Sequence, residues 1–149
     1  MDIRFQLIKP RKQNRPSPQK KSPKEIRLIS PSQSKGLQYE QEAIDFLTAK
    51  GLTLLEKNLS CKCGELDLIM KDGDTLVAVE VRIRKNNLYG GAITSITKSK
   101  QQKLQKTLAY FLPYLSHKHY QNKQPFCRFD AVCFHESPRE THWLKNIFF

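Results

Sequence analysis

The chain has 149 residues, of which 26 are Lys or Arg and 14 are Asp or Glu, so its formal net charge is +12. Its apolar runs are all shorter than the roughly eighteen residues that a membrane-spanning helix needs, and residues 3–8 are too short and too charged for a secretory signal. We therefore expect a soluble, cytoplasmic protein. The basic excess indicates a polyanionic partner, most often nucleic acid.

The first 35 residues differ from the rest in composition. They contain ten basic and two acidic residues and five of the eight prolines. Such a segment cannot bury enough apolar surface to offset its ordering entropy. Residues 1–35 are therefore predicted to form a disordered basic arm, and residues 36–149 a single folded domain. The arm either contacts phosphates or acts as a solubilising tail.

A helix is predicted over residues 36–50, and Gly51 provides its C-terminal stop. Glu40 lies near the middle of the apolar face of this helix, one turn before Ile44. Burying an isolated carboxylate is costly. Glu40 therefore either pairs with a basic residue elsewhere in the fold or serves a functional site.

Three strands are predicted next: a short one over residues 52–59, and a hairpin formed by residues 65–70 and 75–84. Asp72-Gly73 is typical of a two-residue hairpin loop, which would place Lys71 opposite Asp74 and Glu65 opposite Glu80. One face of the hairpin is then uniformly apolar and belongs to the core. It comprises Leu66, Leu68, Met70, Val77, Val79, Val81 and Ile83.

The other face of the hairpin carries Glu65, Asp67 and Glu80. Asp67 and Glu80 are expected to be diagonal neighbours, about 7–8 Å apart at Cα, and apolar residues on the same face indicate that it is covered. Like charges this close are destabilising unless something neutralises them, and oxygen ligands suit Mg²⁺ or Mn²⁺. The alternative is a salt-bridge ladder in which Arg82 neutralises the carboxylates.

A second helix is predicted to begin at an N-cap, Thr97 or Ser99, and to have an apolar face that reaches Leu115. Lysines cluster along its start, where they form either a phosphate-binding edge or the solvated side of an amphipathic helix. These are Lys98, Lys100, Lys103 and Lys106. A strand over residues 128–134 follows, and apolar residues between 143 and 148 are expected to cover an edge of the core.

Five short motifs occur in a characteristic order. They are Gly36-x-x-Tyr39-Glu40-x-x-Ala43; Gly64-Glu65-x-Asp67-Leu68-Ile69; Val79-Glu80-Val81-Arg82 with Arg84; Tyr89-Gly90-Gly91 with Ser95-Ile96 and Lys100; and Arg128-Phe129-Asp130. Residues 36–149 thereby resemble the YraN family, small bacterial proteins likened to Holliday-junction resolvases within the PD-(D/E)xK nuclease superfamily. The resemblance implies an α/β, restriction-endonuclease-like fold in which helices flank a central mixed β-sheet.

The resemblance also implies roles for individual residues. Asp67 and Glu80 would be the metal ligands, with support from Glu40, while the hairpin face adds Glu65. The superfamily usually has Lys at position 82, where it orients or activates the attacking water. Here the residue is Arg82, which stays charged and can only polarise or clamp.

The leading hypothesis is therefore an endonuclease that depends on Mg²⁺ or Mn²⁺ and cleaves DNA phosphodiesters in the manner of a resolvase. The residues expected to hold the DNA are Arg84, Lys98, Lys100 and Lys103. The alternatives are a nucleic-acid-binding module of the same fold without catalysis, and a structural adaptor that engages a protein through the arm. By analogy with resolvases, which need two sites, a homodimer is also expected. The sequence does not distinguish DNA from RNA.

Overall fold

The computed structural model describes residues 30–85, 96–137 and 139–148. Within these ranges the elements are α1 (Pro31–Ala49), β1 (Thr53–Cys61), β2 (Gly64–Asp72), β3 (Thr75–Arg84), α2 (Lys98–His119), β4 (Cys127–Glu136) and β5 (Arg139–Leu144). The strands form one sheet in the order β1-β2-β3-β4-β5, where β3 and β4 run parallel and the other neighbours antiparallel. The α/β prediction of a mixed sheet flanked by helices is confirmed, and the architecture is consistent with a restriction-endonuclease-like fold.

Helix α1 begins at Pro31, so the predicted start at Gly36 is wrong. Ser30 and Gln33 form a capping box: the Ser30 hydroxyl accepts from the Gln33 N–H at 3.3 Å, and the Gln33 side chain accepts from the Ser30 N–H at 3.0 Å. Pro31 occupies the first helical turn, where its missing N–H costs nothing. The predicted arm thus ends in a helical turn over residues 31–35, while residues 1–29 lie outside the described part of the chain.

The helices cover opposite faces of the sheet. Helix α1 packs with one set of buried residues, which includes Leu47, Leu68, Met70, Val77, Val79 and Val132. Helix α2 packs with the other, which includes Ile69, Leu76, Ala78, Leu104, Leu108 and Ala131. Within residues 30–85, 96–137 and 139–148, neither helix is long and apolar enough to cross a membrane.

The register of the β2–β3 hairpin differs from the prediction by two residues. Lys71 pairs with Leu76, and Asp72 pairs with Thr75, so the loop is Gly73-Asp74 rather than Asp72-Gly73. Gly73 has φ +58° at the first loop position, where a two-residue turn favours glycine. Because the shift is an even number of residues, it preserves the faces of the side chains but changes which residues lie opposite each other.

Leu66 is an exception to the predicted faces, because it packs with the α2-side core and not with Leu68 on the α1 side. The adjoining strand explains the change. Asn58 lies between the β1 residues that pair with Leu66 and Leu68, and it has φ +55°. A left-handed residue interrupts regular pleating, so the alternation of side chains breaks at Asp67.

The C-terminal residues form an additional strand, β5, which sequence analysis did not predict. Strand β5 is anchored by Asp130 of β4, a fully buried carboxylate. Asp130 accepts hydrogen bonds from Arg128 Nε at 2.9 Å, Trp143 Nε1 at 3.0 Å and the Asn146 N–H at 2.9 Å. Satisfying a buried carboxylate in this way fixes the end of the chain against β4. The Arg128-Phe129-Asp130 motif therefore has a structural role.

Candidate metal centre and nucleic-acid interface

The candidate site lies where β2 separates from β3. Backbone pairing between the two strands extends from Asp72–Thr75 only as far as Leu68–Val79. Just beyond it, the carboxylate of Asp67 accepts the Val81 N–H at 2.9 Å. A side chain thus replaces a backbone partner at this point, and β3 continues alongside β4 instead.

Asp67 and Glu80 line the same pocket. Its other walls come mostly from the α2-side core and include Leu66, Ala78, Leu104, Phe129 and Ile147. Val79 and Asp130, whose carboxylate pairs with Arg128, complete the lining. The observed register brings Glu80 towards Asp67, so the predicted pairing of Glu65 with Glu80 is wrong. Both carboxylates are set in largely apolar walls on the α2 side of the sheet.

Helix α2 supplies a cation to this pocket. The ammonium of Lys100 lies 3.2 Å from a carboxylate oxygen of Glu80, whose side chain is only 12% exposed. The Thr97 side chain caps the helix by accepting from the Lys100 N–H at 3.1 Å, which fixes the first turn beside β3. Lys100, which the sequence assigned to DNA backbone contacts, is therefore paired with a candidate metal ligand.

Two further carboxylates, those of Glu40 and Glu65, are close enough to influence Asp67. Burial, and next the negative charge of Glu80, are the largest causes that raise the pKa of Asp67 from 3.8 to about 7. The hydrogen bond from Val81 opposes this change, while Glu40 and Glu65 reinforce it. A perturbed carboxyl surrounded by like charges is typical of a site that receives a cation.

Glu40 is held by a residue that sequence analysis missed. The Asn58 side chain donates to a carboxylate oxygen of Glu40 at 3.1 Å. Since Asn58 adjoins Asp67 across the β1–β2 pairing, it links helix α1 to the pocket. The only sequence signal is that Asn tolerates the left-handed conformation better than most residues, and this alone does not identify a site.

The remaining predicted residues are distributed around the pocket. Arg82 and Arg84 pair with Cys133 and His135 of β4. Burial raises the pKa of the Cys133 thiol, and the positive charges of both arginines oppose that change, so both lie near it. Lys98 and Lys103 are exposed on α2, and no carboxylate in the described ranges forms an ion pair with either.

Comparison with known proteins identifies the family. A model of "Uncharacterised protein family UPF0102" matches residues 39–134, which contain most of the core and every pocket residue except Ile147. The chain belongs to this family. UPF0102 is the YraN family, so the predicted membership is confirmed.

Several UPF0102 proteins align along nearly their whole length. The protein from Psychromonas ingrahamii is 43% identical over 122 residues, covering 82% of this chain and 95% of the relative. That from Nitrosomonas eutropha is 46% identical over 121 residues, covering 80% and 97%. The alignment with the solved "Crystal structure of SSO0001" covers 80% of this chain and 55% of the solved chain, with 14% identity and a TM-score of 0.38.

Proposed function

We propose that this protein is an endonuclease that uses Mg²⁺ or Mn²⁺ to cleave DNA phosphodiesters, with Asp67 and Glu80 as the metal ligands. The observation that carries the proposal is the convergence of these two carboxylates in one pocket, where the pKa of Asp67 is raised to about 7. Two like charges in apolar walls are destabilising, and a divalent cation between them would remove that cost.

The donor set fits such an ion. In the described residues no group of three or more His, Cys, Asp or Glu side chains is arranged to hold a metal. Mg²⁺, however, is usually held by one or two carboxylates, with water and substrate phosphates completing its shell. Asp67 and Glu80 would provide that pair, and Glu40 and Glu65 would add negative charge nearby. When bound, the ion would polarise the phosphate and lower the pKa of a water molecule.

The protein's own cations would complete the site. Lys100 neutralises Glu80 in the free protein, and on DNA binding its ammonium would turn to the phosphate that approaches the pocket. Arg82, two residues beyond Glu80, would stabilise negative charge that develops on the phosphate. Because its guanidinium stays protonated, Arg82 would act by charge and hydrogen bonding, not by proton transfer.

The decisive experiment is a cleavage assay on linear, single-stranded and branched DNA, with Mg²⁺, Mn²⁺ or EDTA. We expect ion-dependent cleavage that is lost in Asp67→Asn and in Glu80→Gln. Asp74→Asn, which changes an exposed carboxylate in the β2–β3 loop, is the matched control and should retain cleavage. Activity that survives Asp67→Ala combined with Glu80→Ala would contradict the proposal.

A non-catalytic nucleic-acid-binding module is the second candidate. It is favoured by Arg82 at the position of the superfamily's Lys and by the Lys100–Glu80 ion pair, which already satisfies one carboxylate. Calorimetry separates the two candidates. Mn²⁺ binding that Glu80→Gln abolishes supports the nuclease, whereas salt-sensitive DNA binding without any effect of the ion supports the module.

A further inference from the structure

Helix α2 presents an exposed stripe that the proposed chemistry does not use. At 100° per residue, Lys103, Lys106 and Tyr110 fall on one side of the helix, and all three are exposed. The helix contains five lysines and no acidic residue. In the part of the chain that the structure describes, no carboxylate pairs with Lys103 or Lys106. The stripe therefore has the charge that a polyanion requires.

Tyr110 is unusual on this stripe because a large aromatic ring is left 64% exposed. Its ring meets the ring of Phe111 edge-on, with centroids 5.0 Å apart, and Phe111 packs against the α2-side core. Tyr114, one turn further along, differs from Tyr110 because its hydroxyl donates a hydrogen bond to a carboxylate oxygen of Glu56 at 3.0 Å. Tyr110 is thus a supported ring with an open face, the arrangement on which an unpaired base stacks.

The stripe starts next to the proposed metal site. Lys100 contacts Glu80, and Lys103 lies against Gly64, three residues before Asp67. From Lys100 to Tyr110 the helix rises about 15 Å. That length corresponds to about four nucleotides at the spacing of stacked bases along a strand.

We propose that the substrate carries unpaired nucleotides beside the point of cleavage, that Lys103 and Lys106 bind their phosphates, and that Tyr110 stacks on one of their bases. This inference rests on the proposed function and narrows its substrate to DNA with a single-stranded flank. Stacking needs an exposed base face, so a fully paired duplex cannot use Tyr110.

The test is equilibrium binding of the full chain in EDTA to a blunt duplex and to the same duplex with a single-stranded extension. Tyr110→Ala should weaken binding to the extended DNA about fivefold or more and leave the blunt duplex unaffected. Phe126→Ala, which removes another exposed aromatic outside α2, is the matched control and should change neither affinity. The double variant Lys103→Gln, Lys106→Gln should bind both DNAs more weakly. The slope of log K against log salt concentration should fall by the equivalent of about two phosphate contacts.

A base analogue supplies a direct readout. The fluorescence of 2-aminopurine in the extension should be quenched by the wild-type protein but not by Tyr110→Ala. The inference would be overturned if Tyr110→Ala lost affinity equally for both DNAs or for neither. It would also be overturned if the substitution changed the oligomeric state and not the affinity. Because binding is measured without metal, the two proposals can fail separately. If the protein cleaves DNA but Tyr110→Ala binds the extended DNA normally, only this inference is refuted. If Tyr110→Ala loses affinity for the extended DNA alone but the wild-type protein cleaves no DNA, only the nuclease proposal is refuted.

Discussion

Asp67→Asn tests the electrostatics of the pocket separately from activity. In the folded chain the pKa of Asp67 is about 7 instead of 3.8. At 1.36 kcal/mol per pKa unit, ionising this carboxyl costs about 4 kcal/mol more in the folded than in the unfolded chain. The stability associated with the neutral carboxyl is therefore fully present below about pH 4 and is lost as the pH rises to about 7. Asn is uncharged throughout, and its amide oxygen can still accept from Val81.

We expect the free energy of unfolding of Asp67→Asn to exceed that of the wild type by up to about 4 kcal/mol above pH 7, and the gain to decline towards pH 4. Urea unfolding followed by circular dichroism in EDTA, across that pH range, measures the difference. Asp74→Asn should show no comparable trend, because its carboxylate is exposed in the hairpin loop. A gain independent of pH, or a variant less stable than the wild type at every pH, would refute the reasoning.

Substitutions at three further positions, Asp130, Gly64 and Lys100, test the surroundings of the pocket. Asp130→Ala removes the partner of Arg128 and of the Trp143 indole, so urea unfolding should reveal a loss of about 3 kcal/mol; a loss below about 1 kcal/mol would contradict the anchoring role. Gly64→Ala should lower the free energy of unfolding by about 1–3 kcal/mol, because φ is +151° and the new Cβ would lie 3.1 Å from the Thr107 hydroxyl oxygen. Gly36→Ala, where the new Cβ would enter open space on α1, is the control and should be neutral or stabilising. Lys100→Met should slow cleavage and Lys100→Arg should partly restore it; equal loss in both would show that positive charge alone does not explain its role.

Much of the fold could be read from local patterns. The 3.6-residue periodicity identified both helices, and the alternation in residues 65–84 identified the hairpin. Each of these signals lies within one segment and depends on burying one face of a single element. The same alternation placed Asp67 and Glu80 on one face, and an even-numbered error in register left that result intact.

Tertiary structure decided everything that depended on more than one segment. Gly73 is the first residue of the hairpin loop and not the second, and this register moved Glu80 towards Asp67. The packing of α2 against the sheet brought Lys100 to Glu80. The hydrogen bond from Asn58 to Glu40 and that from Trp143 to Asp130 each join residues of different elements. The period of the side chains along a strand shows which way each residue faces. Only the packing of separate elements determines which carboxylates are buried and which share a pocket. Burial, and then the nearby charge of Glu80, raise the pKa of Asp67.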